Sequence, residues 1–293
     1  CPFQRGISRY TPKPDYTMSN WRKRFRSHLK PLLGITRIDD IPSTIVLWAG
    51  PSRLDGKPIM VVASCVRVPS KNGKTEDMIQ VAIMSQTLAP FTAWSAGLDG
   101  SVCPDSCVHR SKPRGGKGSC YVNKARLHDT WNAAHNYLTE HGKGGRIEPD
   151  HLPSDYFDHA HMRFGMEGDP SAVPLRVWQY LAAQVARWTG YTADWANLAQ
   201  DWADLFMASV SSIPDMLRAK SLGWRPFFSS FDPKDDAAAV TAGLRLCLAE
   251  SKAAVGCSRC GGCDGNQKGA KRAGFFLSTH GAVGASLRKH TTP

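Results

Sequence analysis

The sequence predicts an α/β protein: a partial (β/α) barrel-like or open, mainly parallel sheet with cysteine-rich metal-binding loops and an N-terminal β-hairpin extension. Three observations carry this. After Thr87 a strand pattern, a Gly-rich loop and a helical pattern repeat about five or six times, the arithmetic of βα units. Before Thr87 only strand patterns joined by turn signals occur. Nine cysteines fall mostly into two groups, both within the βα part.

Residues 1–43 read as a basic N-terminal arm, 44–86 as a β-rich extension and 87–293 as the α/β domain with both cysteine groups. In the extension, Thr44-Ile45-Val46-Leu47-Trp48 reads as a strand stopped by Gly50-Pro51 and the Asp55-Gly56 turn. Two further strands follow, from Pro58 to Ala63 and from Met78 to Met84, with Asn72-Gly73 as turn chemistry between them. Residues 124–141 look helical and stop at Gly142. Met162 to Met166 reads as a strand ended by Gly168-Asp169-Pro170. Pro174 opens an amphipathic helix to about Trp188, with Val177, Trp178, Leu181 and Val185 on one face. Strands at 205–210 and 224–228 flank a helix after Pro214. An Ala/Leu-rich helix over 234–251 and a short strand at 274–278 complete the pattern.

With 293 residues, 42% hydrophobic and 21% charged, the chain can bury a large core, which excludes a disordered chain, a collagen or a coiled coil. No apolar run approaches the ~18 residues that span a bilayer, so no membrane partner is expected. No basic-then-apolar leader pattern opens the chain, and a cytoplasmic location is expected. A start on Cys1 rather than Met fits either a fragment or a trimmed chain.

Lys and Arg outnumber Asp and Glu by 37 to 25, a net charge of +12. That balance suits nucleic acid or another polyanion; alternatively it only maintains solubility. In Trp21-Arg22-Lys23-Arg24-Phe25-Arg26 cations lie between two aromatics, a combination suited to phosphate contact and base stacking. The plainer reading is a helix with a solvated basic face and two core aromatics.

Nine is an odd number, so the cysteines cannot all pair within one chain. Cys257-Ser258-Arg259-Cys260-Gly261-Gly262-Cys263 places three thiols at successive x2 spacing, which wraps a cuboidal iron–sulfur cluster better than a zinc ion. Cys247, ten residues upstream on the end of the predicted helix, is the natural fourth ligand. A [4Fe-4S] cluster is therefore expected on Cys247, Cys257, Cys260 and Cys263, with zinc as the alternative. Cys103, Cys107 and Cys120 form a second group around a basic loop that holds His109, Arg110, Lys112, Arg114 and Lys117. Cations beside thiols favour the thiolate and hence a metal. This group reads as a second cluster or as a Cys3His zinc knuckle, with Cys65, Cys1 and His109 as fourth-ligand candidates. Both loops are expected beyond the carboxyl ends of the strands. Cys65, inside an apolar run, is expected to be a buried core thiol.

Several stations together resemble an uncharacterised cysteine-rich family encoded by tailed phages and prophages. They are Trp48-Ala49-Gly50-Pro51-Ser52-Arg53-Leu54-Asp55-Gly56, Gly97-Leu98-Asp99-Gly100-Ser101-Val102-Cys103-Pro104, Gly118-Ser119-Cys120-Tyr121-Val122, Arg163 to Pro170, Thr189-Gly190-Tyr191-Thr192, Met207-Ala208-Ser209-Val210 and the final cysteine run. The resemblance spans roughly residues 44–283 and implies a context rather than a reaction. More distantly, the order of features is similar to radical S-adenosylmethionine enzymes. Those place a C-x3-C-x2-C loop after the first strand, a Gly-Gly-Glu-Pro-like stop after the second, and often an auxiliary cluster near the C-terminus. That similarity implies an S-adenosylmethionine site with Glu167, Gly168 and Asp169 as cofactor-binding residues. This chain departs in spacing: Cys120 lies thirteen positions after Cys107 rather than three.

Asp155, Asp158, His159 and His161 could hold a divalent metal, as in nucleases, or decorate a polar loop. His280-Gly281 stands where an α/β site would lie, or serves a capping or packing role. No P-loop, G-x-S-x-G elbow or G-x-G-x-x-G follows a strand. Three function classes follow: a phage-type iron–sulfur protein with a radical-SAM-like domain that acts on or binds nucleotide or nucleic acid; a non-catalytic, metal-stapled nucleic-acid-binding protein; and a metal-dependent nuclease or replication protein.

Overall fold

The computed structural model describes residues 18–34, 36–70, 72–110, 118–141, 155–230, 232–266 and 272–278. One nine-stranded open sheet organises them. Strands β1 (Thr44–Pro51), β2 (Pro58–Ser64) and β3 (Ile79–Ser85) form an antiparallel meander at one edge. The sheet then becomes parallel through β4 (His161–Glu167), β5 (Arg187–Thr192), β6 (Met207–Val210), β7 (Pro226–Ser230) and β9 (Phe275–Ser278), and β8 (Arg245–Leu246) closes the far edge. The sheet does not close into a barrel, so the open, mainly parallel form of the expected architecture is the one adopted. The meander is continuous with the parallel part, because β3 pairs directly with β4.

Period-two burial gives the sheet two apolar faces. On one face Ile59, Val61, Ile79, Val81, Phe164, Ala208 and Phe228 pack against α1 (Met18–Leu33), α4 (Leu175–Gln184), α5 (Ile213–Ser221) and α6 (Pro233–Thr241) in the main core. The opposite face carries two smaller clusters. Met60, Val62, Ala82 and Met84 meet α3 (His128–His141), while Met207 and Phe275 pack around Cys263 with Tyr191 and Phe227 alongside. Among the described residues no helix is long and apolar enough to cross a membrane.

Two local expectations are corrected. The helix that Pro174 opens stops at Gln184 rather than near Trp188, and Arg187–Thr192 is a strand. Val185 is extended, with ψ of 147°, and Gly190 lies where a Cβ would meet Phe206 Cδ1 at 2.6 Å, so this segment is packed as sheet. The Ala/Leu-rich pattern over 234–251 breaks as well. Its helix ends at Thr241, Gly243 turns the chain at φ +80°, and β8 follows. Cys247 consequently sits one residue past a strand, not on a helix.

The aromatics of the basic N-terminal segment point inward. Trp21 and Phe25 are fully buried, and Trp21 stacks on His161 with ring centroids 4.8 Å apart. Base stacking by these rings is thereby ruled out in the folded chain. Lys23 and Arg24 remain exposed on the same helix.

Candidate metal centres

The C-terminal cysteines are brought together by three anchors. A four-residue helix, α7 (Cys257–Cys260), is fixed where the Cys257 amide donates to Lys74 O at 2.8 Å. The turn after it closes on Gly261 in the left-handed region. The Gly190 amide of β5 donates to Cys263 O at 2.9 Å, and the Cys247 amide donates to Phe276 O of β9 at 2.8 Å. Cys247, Cys257, Cys260 and Cys263 thus line one pocket on the face opposite the main core, with Thr189 and Phe275 as its walls. The pocket is small, with a cavity volume of about 10 Å³.

Burial pushes the Cys257 thiol up to about 11 and the Cys263 thiol to about 12. Neighbouring thiols act in the same direction, whereas Tyr191 donates a hydrogen bond to Cys263 and favours its thiolate. Seven described cysteines are free: Cys65, Cys103, Cys107, Cys120, Cys247, Cys257 and Cys263. Cys260 is disulfide-bonded.

Sequence reading did not single out two residues that shape this site. Arg225 donates to Gly262 O at 2.8 Å and Ala273 O at 3.0 Å, and it pairs with Asp264 at 3.4 Å, clamping the loop on either side of Cys263. Tyr191 is half-buried beside Phe227, with ring centroids 4.5 Å apart. The alternation Thr189-Gly190-Tyr191-Thr192, read as strand, would have pointed Tyr191 to the side of Cys263.

The first cysteine group gathers at the carboxyl ends of the strands. A short helix after β3, α2 (Pro90–Ser95), leads into the turn that carries Cys103 and Cys107. The Asp169 amide donates to Val102 O at 2.7 Å, which ties this turn to the end of β4. Cys103 and Cys107 share a thiol–thiol hydrogen bond that raises Cys103 and lowers Cys107, and the amides of His109 and Arg110 also donate to Cys107. Burial raises the Cys120 thiol, the Lys124 ammonium pulls it down and the Glu167 carboxylate pushes it up. Such N–H···S bonds and a nearby ammonium are the surroundings that favour thiolate ligands.

Each remaining candidate has a definite place. Glu167 is buried and accepts from Lys124 Nζ on Oε1 at 2.5 Å, and its Oε2 has no hydrogen-bond partner among the described residues. Burial raises the Glu167 carboxyl, against the pull of Lys124. Gly168, at φ +73°, leaves no room for a side chain, because a Cβ would lie 2.6 Å from Ile83 O. Asp169 accepts from Ser171 N, Thr192 Oγ1 and Ala193 N at 2.7–2.9 Å, joining the ends of β4 and β5. His109 bonds Ser119 Oγ at 2.9 Å. Cys65 is half-buried at the end of β2 rather than in the core, since the strand turns at that residue with φ +60°.

Cys247 follows β8 at its carboxyl end, but the loop of Cys257, Cys260 and Cys263 does not lie beyond the carboxyl ends as expected. That loop precedes β9, and a loop entering a parallel strand must arrive at the amino end. Asp155, Asp158, His159 and His161 do not converge. Asp155 pairs with His28, Asp158 accepts from the His159 amide, and His161 is buried between Trp21 and Ser258. Among the described residues no group of three or more His, Cys, Asp or Glu side chains is placed to hold a metal ion. Cys1, Lys112, Arg114, Lys117 and His280-Gly281 lie outside the described residues. No family model, no curated protein and no solved structure matches this chain.

Proposed function

We propose that this chain is an iron–sulfur protein, with one [4Fe-4S] cluster held by Cys247, Cys257, Cys260 and Cys263. The observation that carries the reading is the convergence of these four residues on the lining of one small pocket. All four cysteines line the same pocket. That arrangement, with a C-x2-C-x2-C run, suits a polynuclear cluster better than one tetrahedral zinc ion. Cys260 joins as a thiolate once its disulfide is reduced. A bound cluster supplies one-electron chemistry; the chain contributes the Tyr191 hydrogen bond, the Arg225 clamp and exclusion of water.

Cys103, Cys107 and Cys120 are proposed to hold a second centre at the carboxyl edge, where open α/β sheets collect ligands. A pocket there is lined by Cys107, His109, Ser209, Ser211, Asp215 and Arg218. The phage-type, radical-SAM-like reading places S-adenosylmethionine at this edge, with a nucleotide or nucleic acid as the partner in keeping with the net charge of +12. Protein prepared anaerobically under reducing conditions is expected to be brown, with broad visible absorbance that dithionite bleaches and S-adenosylmethionine perturbs. Colourless protein that retains zinc would assign the thiols to zinc and overturn the reading.

A further inference from the structure

We propose that the cleft between α3 and the open face of β2–β4 binds a nucleotide phosphate, with Arg163 and Arg126 as its anion-holding residues. The inference deepens the polyanion part of the proposed function and rests on it. The cleft measures about 630 Å³, within the roughly 300–1,000 Å³ of small-molecule sites.

Its position follows from strand register. Ser64 pairs with Gln80, Gln80 with Arg163, and Arg163 with Thr189 in one row across the sheet. Ser64, Gln80 and Arg163 line the cleft, while Thr189 lines the pocket of the C-terminal cysteines. Arg163 therefore stands on the boundary between the two. Its charge favours the Cys257 thiolate on one side, and its guanidinium donates to Tyr121 Oη at 3.3 Å on the other. Tyr121 directly follows Cys120. The cleft is thus flanked by one cysteine group at each end.

The lining matches a nucleotide. Among the described residues neither Arg163 nor Arg126 has a carboxylate partner, and both line the cleft; a guanidinium is the side chain suited to holding phosphate bidentately. Asp129 is the carboxylate in the lining and leaves the balance cationic. Tyr121 is 61% exposed and offers a ring for a base to stack on. Leu127 and Met166 give the apolar floor expected of a small-molecule site.

The test is a calorimetric titration of the full chain, prepared anaerobically, with adenosine 5′-monophosphate, adenosine, inorganic phosphate and a short single-stranded oligonucleotide. The monophosphate is expected to bind more tightly than adenosine or phosphate alone. Arg163→Gln and Arg126→Gln are each expected to weaken it by about tenfold, the scale of one lost charged hydrogen bond. Arg126 is exposed on the turn before α3, so its variant keeps the test valid if Arg163→Gln fails to fold. Tighter binding of the oligonucleotide, lost in the same variants, identifies the ligand as a nucleotide within a strand; monophosphate binding that the oligonucleotide does not displace identifies a free nucleotide. A Lys23→Gln, Arg24→Gln double variant on α1 should change neither. Oligonucleotide binding that survives both arginine changes, or is lost with Lys23 and Arg24, overturns the cleft while sparing the polyanion reading. If nothing binds the wild-type chain, both fall.

Discussion

Tyr191 donates its hydroxyl to the thiol of Cys263, across the face of the sheet turned away from the main core. The two residues lie on different elements, β5 and the loop before β9, so the bond couples the cysteine loop to the sheet. Tyr191→Phe preserves the ring contact with Phe227 and removes only the donor. The loss in stability should be about 0.5–1.5 kcal/mol. With a cluster bound, losing a hydrogen bond to a ligating sulfur should also lower the reduction potential. A potentiometric titration in which Tyr191→Phe and wild type superimpose would contradict this role.

His161 gives a pH dependence of definite sign. Burial, with the charge of Arg187 added, holds it near 3, well below its ordinary 6.5. The folded chain thus disfavours the imidazolium that the unfolded chain accepts. The stability this represents is fully present above pH 6.5 and is lost as pH falls toward 3, at up to about 1.4 kcal/mol per pH unit. Denaturant midpoints of the metal-free protein between pH 7 and 4 should fall more steeply for wild type than for His161→Asn. Equal slopes would show that the ring titrates normally.

Arg225 is the clamp of the cysteine loop. Its guanidinium accounts for the carbonyls of Gly262, Gly265 and Ala273 and for the carboxylate of Asp264. Arg225→Ala leaves Asp264 and several carbonyls buried with fewer partners, a loss of about 3–5 kcal/mol. Metal content should drop with it, and Arg225→Lys should restore it only in part, because an ammonium cannot reproduce the fork. Full metal content in the alanine variant would remove Arg225 from the account.

Trp21 and Phe25 separate packing from binding. Trp21→Ala should destabilise the chain by about 3–5 kcal/mol, as expected for a fully buried indole. A variant that unfolds no more readily than wild type but loses nucleic-acid affinity would return the ring to the surface role that burial excludes.

The strands were legible because their signals are local. β1 to β4 show apolar runs bounded by Gly, Pro and Asn-Gly, and the structure places them within a few residues of the patterns. β5 was hidden, because the helical face Val177, Trp178, Leu181 and Val185 runs on in period and only tertiary packing against Phe206 ends it. The break at Gly243 was equally masked by the high helix propensity of the alanines before it. At the sites, residue types and spacings named the seven grouped cysteines, yet nothing local couples Lys124 to Glu167, 43 residues apart, or Arg225 to Gly262. Those contacts exist only once parallel strands align their ends. Trp21 and Phe25 show the reverse: an aromatic among cations looks the same in sequence whether it faces base or core.

The central claim is tested most directly by iron, acid-labile sulfide and zinc analysis of the anaerobically prepared chain beside its Cys263→Ser variant, with Cys65→Ser as the control. The account predicts about four iron and four sulfide for each centre, with one centre's complement lost in Cys263→Ser and none in Cys65→Ser. Zinc without sulfide, or an iron content that Cys263→Ser leaves unchanged, would contradict it.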